Sequence, residues 1–150
     1  IADEPTTALD VTVQKQVIDL LNSLREKLGF AMVFVSHDLA LVSSVSHRIT
    51  VMYAGQVVET GPTEEILTDP RHEYTRGLLG AVLSIESGAG RLHQVPGVVP
   101  SPREFLPGDR FAPRSSHPGI GRDTRPEMAE VDHTGHFYAR HLELVAEEGR

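Results

Sequence analysis

The feature that most constrains this chain is a helix-period stripe followed at once by an unbroken apolar run. From Asp10, apolar residues recur at Val13, Val17, Leu20, Leu21, Leu24 and Leu28, the spacing of one helix face. Asp10 is placed as the N-cap and Gly29 as the C-cap. Phe30 to Val35 then runs without alternation, the pattern of a strand covered on both faces, as in a parallel sheet. Ile1-Ala2-Asp3-Glu4-Pro5 reads as the end of a buried strand entering a loop. Strand, helix and strand together make a βαβ crossover, so the chain belongs to the α/β class. Both strand ends, Asp3-Glu4 and Ser36-His37-Asp38, then fall on one sheet edge, where open α/β folds bind ligands.

Beyond this unit, Asp38 to Ser46 suits a short helix. Arg48–Tyr53 and Gln56–Glu59 suit two strands joined through Ala54-Gly55. Thr63 is placed as the cap of a helix reaching Leu67, and Glu73 to Leu83 as another helix. Seven prolines (Pro96, Pro100, Pro102, Pro107, Pro113, Pro118 and Pro126) crowd the next stretch and nearly exclude helix there. The expected division is therefore 1–85 as an α/β unit and 86–150 as an extension.

Composition narrows the functional classes. With 14 Lys+Arg against 21 Asp+Glu, a net charge of −7 and basic residues scattered among prolines, the chain offers no nucleic-acid surface. It contains no cysteine, which excludes disulfides, thiol catalysis and Cys-ligated metals.

Two carboxylates at a parallel-sheet edge can serve phosphoryl transfer. One can hold Mg²⁺ directly or through water, and its neighbour can polarise an attacking water. Ser36, His37 and Asp38 are not read as a hydrolase triad, because adjacent residues usually point apart and no G-x-S-x-G occurs.

Ile1-Ala2-Asp3-Glu4-Pro5-Thr6-Thr7-Ala8-Leu9-Asp10, with Val35-Ser36-His37-Asp38 ending the next strand, resembles the ATP-binding cassette family. The three matching motifs are a Walker B strand end, a D-loop at Thr7–Asp10 and a switch histidine. The run Val51 to Pro62 and Tyr74-Thr75-Arg76-Gly77-Leu78-Leu79 is similar to the dipeptide/oligopeptide (peptide/nickel) importer branch. The fold class implied is the C-terminal half of a P-loop NTPase domain with a proline-rich, largely irregular extension. The resemblance implies that Asp3 helps fix Mg²⁺, that Glu4 is the general base or water-orienting group, and that His37 reaches the γ-phosphate. Asp10 and the D-loop would sit between two cassettes at the nucleotide. The implied cofactors are ATP and Mg²⁺.

A P-loop, G-x-x-x-x-G-K-[ST], is missing, since the two lysines, Lys15 and Lys27, follow Gln14 and Glu26. An L-S-G-G-Q-like signature is also missing, and the family places it upstream of the Walker B strand. The chain is thus read as a C-terminal fragment, inactive by itself, with sheet edges that a missing half should cover. An isolated fragment of this kind is expected to be marginally stable or aggregation-prone. Many family extensions carry cysteines in a segment resembling G-C-x-F-x-P-R-C and can hold an iron–sulfur cluster. Asp109 and Ser115 stand at those places, so no such cluster is expected. His133, His136 and His141, with Asp132 and Glu143, do not match a zinc spacing and are read as a partly solvated tail.

The implied activity is ATP hydrolysis coupled to import of peptides or similar small solutes, at the cytoplasmic face of the inner membrane as a peripheral subunit. The implied partners are two transmembrane permease subunits, a second ATP-binding subunit and an extracytoplasmic solute-binding protein. The transported solute is not distinguished. A different class, a non-catalytic interaction module from a truncated cassette protein, is separated from this reading by the sequence upstream of Ile1.

Overall fold

A computed structural model describes residues 1–86 and 95–141. The chain divides into two compact units, Ile1–His47 and Arg48–Arg150.

In the first unit, β1 (Ala2–Asp3) and β2 (Phe34–Val35) pair in parallel, Ala2 opposite Phe34 and Asp3 opposite Val35. Between them lies α1 (Val11–Leu28), which completes the expected crossover. Its ends are capped as its sequence requires. The Asp10 side chain accepts from the Val13 amide at 2.9 Å, and Gly29 takes the left-handed conformation (φ 65°) with its N–H on the Arg25 carbonyl.

Two expectations for this unit are corrected. The strand placed over 30–35 forms a ladder only at Phe34 and Val35, because β1 offers just two residues to pair with. Of the helix stripe placed at Val13, Val17, Leu20, Leu21, Leu24 and Leu28, Val17 and Leu21 are half-buried beside the buried Ile18, whereas Val13, Leu20, Leu24 and Leu28 are exposed. The inward side is the one carrying Ile18 and Arg25, and Arg25 Nη1 donates to the Val45 carbonyl at 3.1 Å. That bond ties α1 to α2 (Leu39–Val45), whose cap is Asp38 accepting from the Leu41 amide at 3.0 Å.

The second unit is built on an antiparallel sheet in the order β3-β4-β6-β5. The strands are β3 (Arg48–Tyr53), β4 (Gln56–Pro62), β5 (Glu127–Val131) and β6 (His136–Arg140). In β3 burial alternates strictly, with Ile49, Val51 and Tyr53 inward, the period-2 pattern of a half-covered sheet. Helices α3 (Thr63–Thr68) and α4 (Glu73–Glu86) follow β4. The cap position of α3 is occupied by Pro62, without a side-chain cap bond, so Thr63 is the first helical residue and not the cap.

The proline-rich stretch is irregular up to Pro126, apart from 3-10 turns at Pro102–Glu104 and Ala112–Arg114. Irregularity does not extend to the end of the described chain, because β5 and β6 form a hairpin that adds to the sheet. The prolines stop at Pro126, and Asp132 and His133 (φ 44° and 58°) with Gly135 (φ 74°) make the reversal. The extension is fastened elsewhere by arginine. Arg110 donates to the Ala54 carbonyl and stacks over Phe105 at 4.1 Å, and Arg114 donates to the Val95 carbonyl and the Tyr53 hydroxyl. Phe111, 2% exposed, stands edge-on to Tyr53 at 5.3 Å between ring centroids.

At the centre of this unit lies Glu59, wholly buried in β4. Its carboxyl accepts the Arg71 amide at 2.6 Å and the His72 amide at 3.1 Å, and Oε1 lies 2.7 Å from Nε2 of His136, also wholly buried. His136 fits there because Gly61 lies against it, and a Cβ at Gly61 would meet His136 at 3.1 Å. Replacing Glu59 by Gln leaves a donor facing a buried backbone N–H. The expected cost is about 2 kcal/mol, read from the midpoint of urea unfolding, with no loss of secondary structure by circular dichroism.

Candidate functional site

The parallel pairing of β1 and β2 brings the two expected strand ends together. Glu4 N–H donates to the Val35 carbonyl at 2.8 Å, extending the ladder by one bond. Glu4 itself adopts φ 43°, and Ala8, four residues on, φ 63°. Left-handed backbone at non-glycine residues is costly and collects at functional loops. Here it turns the Glu4 side chain across the sheet edge. Oε1 lies 3.0 Å from Nδ1 of His37, and Oε2 accepts the Thr7 hydroxyl at 2.7 Å.

Both partners are displaced in their proton affinities. The hydrogen bond from His37, followed by that from Thr7, holds the Glu4 carboxyl below the usual carboxylate range. The hydrogen bond to Glu4, and then its charge, raises the His37 imidazole above its ordinary value. Both groups are exposed, so water screens the pair and its worth to stability is small.

Ser36 and Asp38 do not join His37 in a triad. Ser36 Oγ accepts the Asp38 amide at 3.1 Å and the Asp38 carboxyl caps α2, so each is spent on local backbone. Thr6, Thr7, Ala8 and Gln14 from one side and Ser36 and His37 from the other line a cleft of about 230 Å³. That is smaller than a pocket enclosing a whole small molecule. Sequence reasoning named Thr7 only as part of a loop. Its hydroxyl three residues after Glu4 was the available signal.

Asp3 is exposed at the end of β1. A carboxylate at a strand end is a hard oxygen donor suited to Mg²⁺ through water, so the residue present fits that ion. The Asp10 carboxyl, by contrast, is engaged in capping α1.

In the second unit, the histidines imagined as a tail cluster go separate ways. His133 is 98% exposed, His136 is buried on Glu59, and His141 Nε2 lies 2.9 Å from Asp109 Oδ2. The solvated-tail reading is therefore wrong for His136, because it overlooked the β6 strand that carries that residue inward. Glu143 lies outside the described residues, and no group of three metal-ligating side chains occurs among the described ones. Asp109 and Ser115 are likewise engaged. Asp109 Oδ1 accepts the Phe111 amide at 2.8 Å, and Ser115 Oγ donates to the Ala112 carbonyl at 2.9 Å. A carboxyl and a hydroxyl do not fit a thiolate-ligated cluster. No described helix is long and apolar enough to cross a membrane.

Residues 58–118 match the family model for the C-terminal region of oligopeptide/dipeptide transporters. A Brucella abortus (strain 2308) protein named for peptide import and ATP binding is 54% identical over 114 residues, covering 76% of this chain and 34% of that protein. The oligopeptide transport ATP-binding protein OppD of Bacillus subtilis is 47% identical over 136 residues, covering 89% of this chain and 38% of its own length. AmiE of Streptococcus pneumoniae, also named an oligopeptide transport ATP-binding protein, is 49% identical over 117 residues, 78% of this chain and 33% of its own. The chain belongs to the oligopeptide/dipeptide transporter family of ATP-binding proteins. It spans about a third of the length of the first of these relatives (34%).

The Glu4–His37 contact makes a titration prediction. Followed by NMR, His37 should titrate above the ordinary 6.5 of histidine, and Glu4→Gln should return it toward that value. The raised His37 contributes stability that is present below its ordinary value and lost as pH rises through its folded value. The lowered Glu4 contributes stability that is present above its ordinary 4.5 and lost as pH falls through its folded value. The coupling is thus complete between about 4.5 and 6.5. An unshifted His37 in the unsubstituted protein would show that the contact does not form in solution.

Proposed function

We propose that this chain carries the hydrolytic half of an ATP site in the ATP-binding subunit of an importer for peptides or similar small solutes. The observation that carries the reading is the Glu4–His37 contact across two parallel strand ends, in a chain about half identical to ATP-binding proteins of peptide importers.

Glu4, kept ionised by its two hydrogen bonds, accepts the proton of the attacking water or orients that water for in-line approach. His37 spends its Nδ1–H on Glu4, which leaves Nε2 to face a γ-phosphoryl oxygen, and the contact with Glu4 that raises the proton affinity of the ring favours the doubly protonated form in which Nε2 can donate. One imidazole thereby links the base to the group it acts on. Thr7 holds the second carboxyl oxygen and keeps Glu4 aimed. Asp3 would hold Mg²⁺ through water, and when bound the ion neutralises phosphate charge. Asp10 would belong to the contact between two cassettes while also capping α1. The subunit would work peripherally at the cytoplasmic face of the inner membrane. Its partners would be two permease subunits, a second ATP-binding subunit and an extracytoplasmic solute-binding protein.

In the intact subunit, Glu4→Gln should lower the ATPase turnover by about 10²-fold or more while leaving ATP binding in place. His37→Ala should cost a comparable factor. A variant at Glu4 with full turnover would remove Glu4 from the mechanism. The 150 residues alone, lacking the P-loop pattern, should show no Mg²⁺-dependent ATPase, and a rate abolished by Glu4→Gln would overturn that expectation.

Asp10 is tested separately, because its cap and its interface role respond differently. Asp10→Ala should cost about 1 kcal/mol of stability and Asp10→Asn almost none. If the interface role holds, both should impair coupled ATP turnover in the assembled transporter.

A further inference from the structure

The second unit contains a cavity of about 540 Å³ that the ATP chemistry does not use. That volume is within the range of pockets that enclose small molecules. Its walls come from the start of α4, the turn after Phe111 and the end of β6, and they bring together three guanidinium groups, Arg71, Arg76 and Arg140.

The charge balance there is unequal once each partner is assigned. Two carboxyl groups, Glu73 and Asp109, also line the cavity, but both are committed within the protein. Glu73 accepts the amide and hydroxyl of Ser116, and Asp109 accepts the Phe111 amide and pairs with His141. Arg71 is paired with Asp69. Among the described residues, neither Arg76 nor Arg140 forms an ion pair. Arg76 gives one N–H to the Arg71 carbonyl. Arg140 lies over the Tyr138 ring at 5.9 Å, and its buried Nε has no hydrogen-bond partner. A buried guanidinium N–H without an acceptor is uncommon, since buried polar groups are almost always satisfied. His72 adds a neutral donor. Its Nδ1 accepts the Tyr74 amide at 3.1 Å, which leaves the ring proton on Nε2.

We propose that this cavity binds a small multivalent oxyanion, of which inorganic phosphate is the minimal form, through Arg76 and Arg140. Planar guanidinium groups pair with phosphate and carboxylate oxygens two bonds at a time, and Arg140, whose Nε is buried, would meet the oxyanion through its terminal N–H groups on the cavity wall. The aromatic floor of Phe111 and Tyr138 gives the bound group a wall that excludes water on one side and strengthens the charge interaction. The site is distinct from Glu4 and His37, and its occupancy does not depend on the ATP reading.

The test is a titration of the intact protein with inorganic phosphate at constant ionic strength, followed by amide NMR, with chloride as the control anion. The expected result is saturable binding, with shifts gathered at 71–76, 115–117 and 138–141. Arg76→Gln should weaken the apparent Kd at least tenfold. Arg76 is exposed on α4, so this variant is expected to fold. Arg140→Gln should do the same, with Arg140→Lys partly restoring affinity, and Arg103→Gln should change nothing. No saturation, shifts centred elsewhere, or an Arg76→Gln variant that binds as tightly as the unsubstituted protein would each overturn the proposal.

Discussion

The buried carboxyl of Glu59 is the point through which the family-specific part of this protein is organised. It stands on β4, takes two successive backbone N–H groups from the segment leading into α4, and meets a histidine carried by the hairpin at the far end of the extension. Two pieces of chain, one 12 and 13 residues beyond Glu59 and the other 77 residues beyond it, thus converge on one side chain. Burying such a group without partners would be strongly unfavourable, so satisfying it dictates where α4 begins and which face of β6 turns inward. The register follows, with Glu59 opposite Tyr138 and Thr60 opposite Phe137. His136 can then approach closely only because residue 61 has no side chain.

A different economy governs the strand-end site. The side chains of Glu4 and His37 are exposed, and their placement comes from backbone. The parallel ladder of β1 and β2 puts Glu4 and His37 side by side, the left-handed turn at Glu4 aims its carboxyl across the edge, and the cap at Asp10 decides where α1 starts. A site held this way keeps its polar groups in reach of water. The cost is local strain at Glu4 and Ala8, where a helix or a longer strand would have had none.

The contrast explains what could be read from residues alone. The caps of α1, the strand over Arg48–Tyr53, the turn at Ala54-Gly55 and the shared sheet edge of Glu4 and His37 were legible, because each follows from local pattern or from the geometry of a βαβ unit. The β5–β6 hairpin was not read, although Asp132-His133-Thr134-Gly135 between two alternating runs carried a turn signal. The density of prolines just before it drew the whole stretch into one irregular class. The buried face of α1 was read only in part, since Val17 and Leu21 of the stripe are half-buried while Val13, Leu20, Leu24 and Leu28 are exposed. A stripe of apolar residues identifies a face able to be buried, whereas Arg25 reaching the Val45 carbonyl decides which side actually packs. The role of Glu59 was out of reach for a further reason, since a charged residue in an alternating strand is by default assigned to solvent.

Asp109 and Ser115 show how the same segment can be held by a different chemistry. The family resemblance puts cysteine at both places, and losing two thiolates would be expected to loosen a stretch with so little regular structure. Here the carboxyl at 109 fixes the turn by accepting the Phe111 amide and reaches across to His141 at the end of β6. The hydroxyl at 115 closes the following 3-10 turn and accepts the amide of His117 at 3.2 Å. Phe111, between them, is pinned into the Tyr53 and Tyr74 rings. Directional bonds to backbone together with one buried aromatic thus supply restraints at both positions. They also leave open the adjoining cavity, with its guanidinium groups lining the wall.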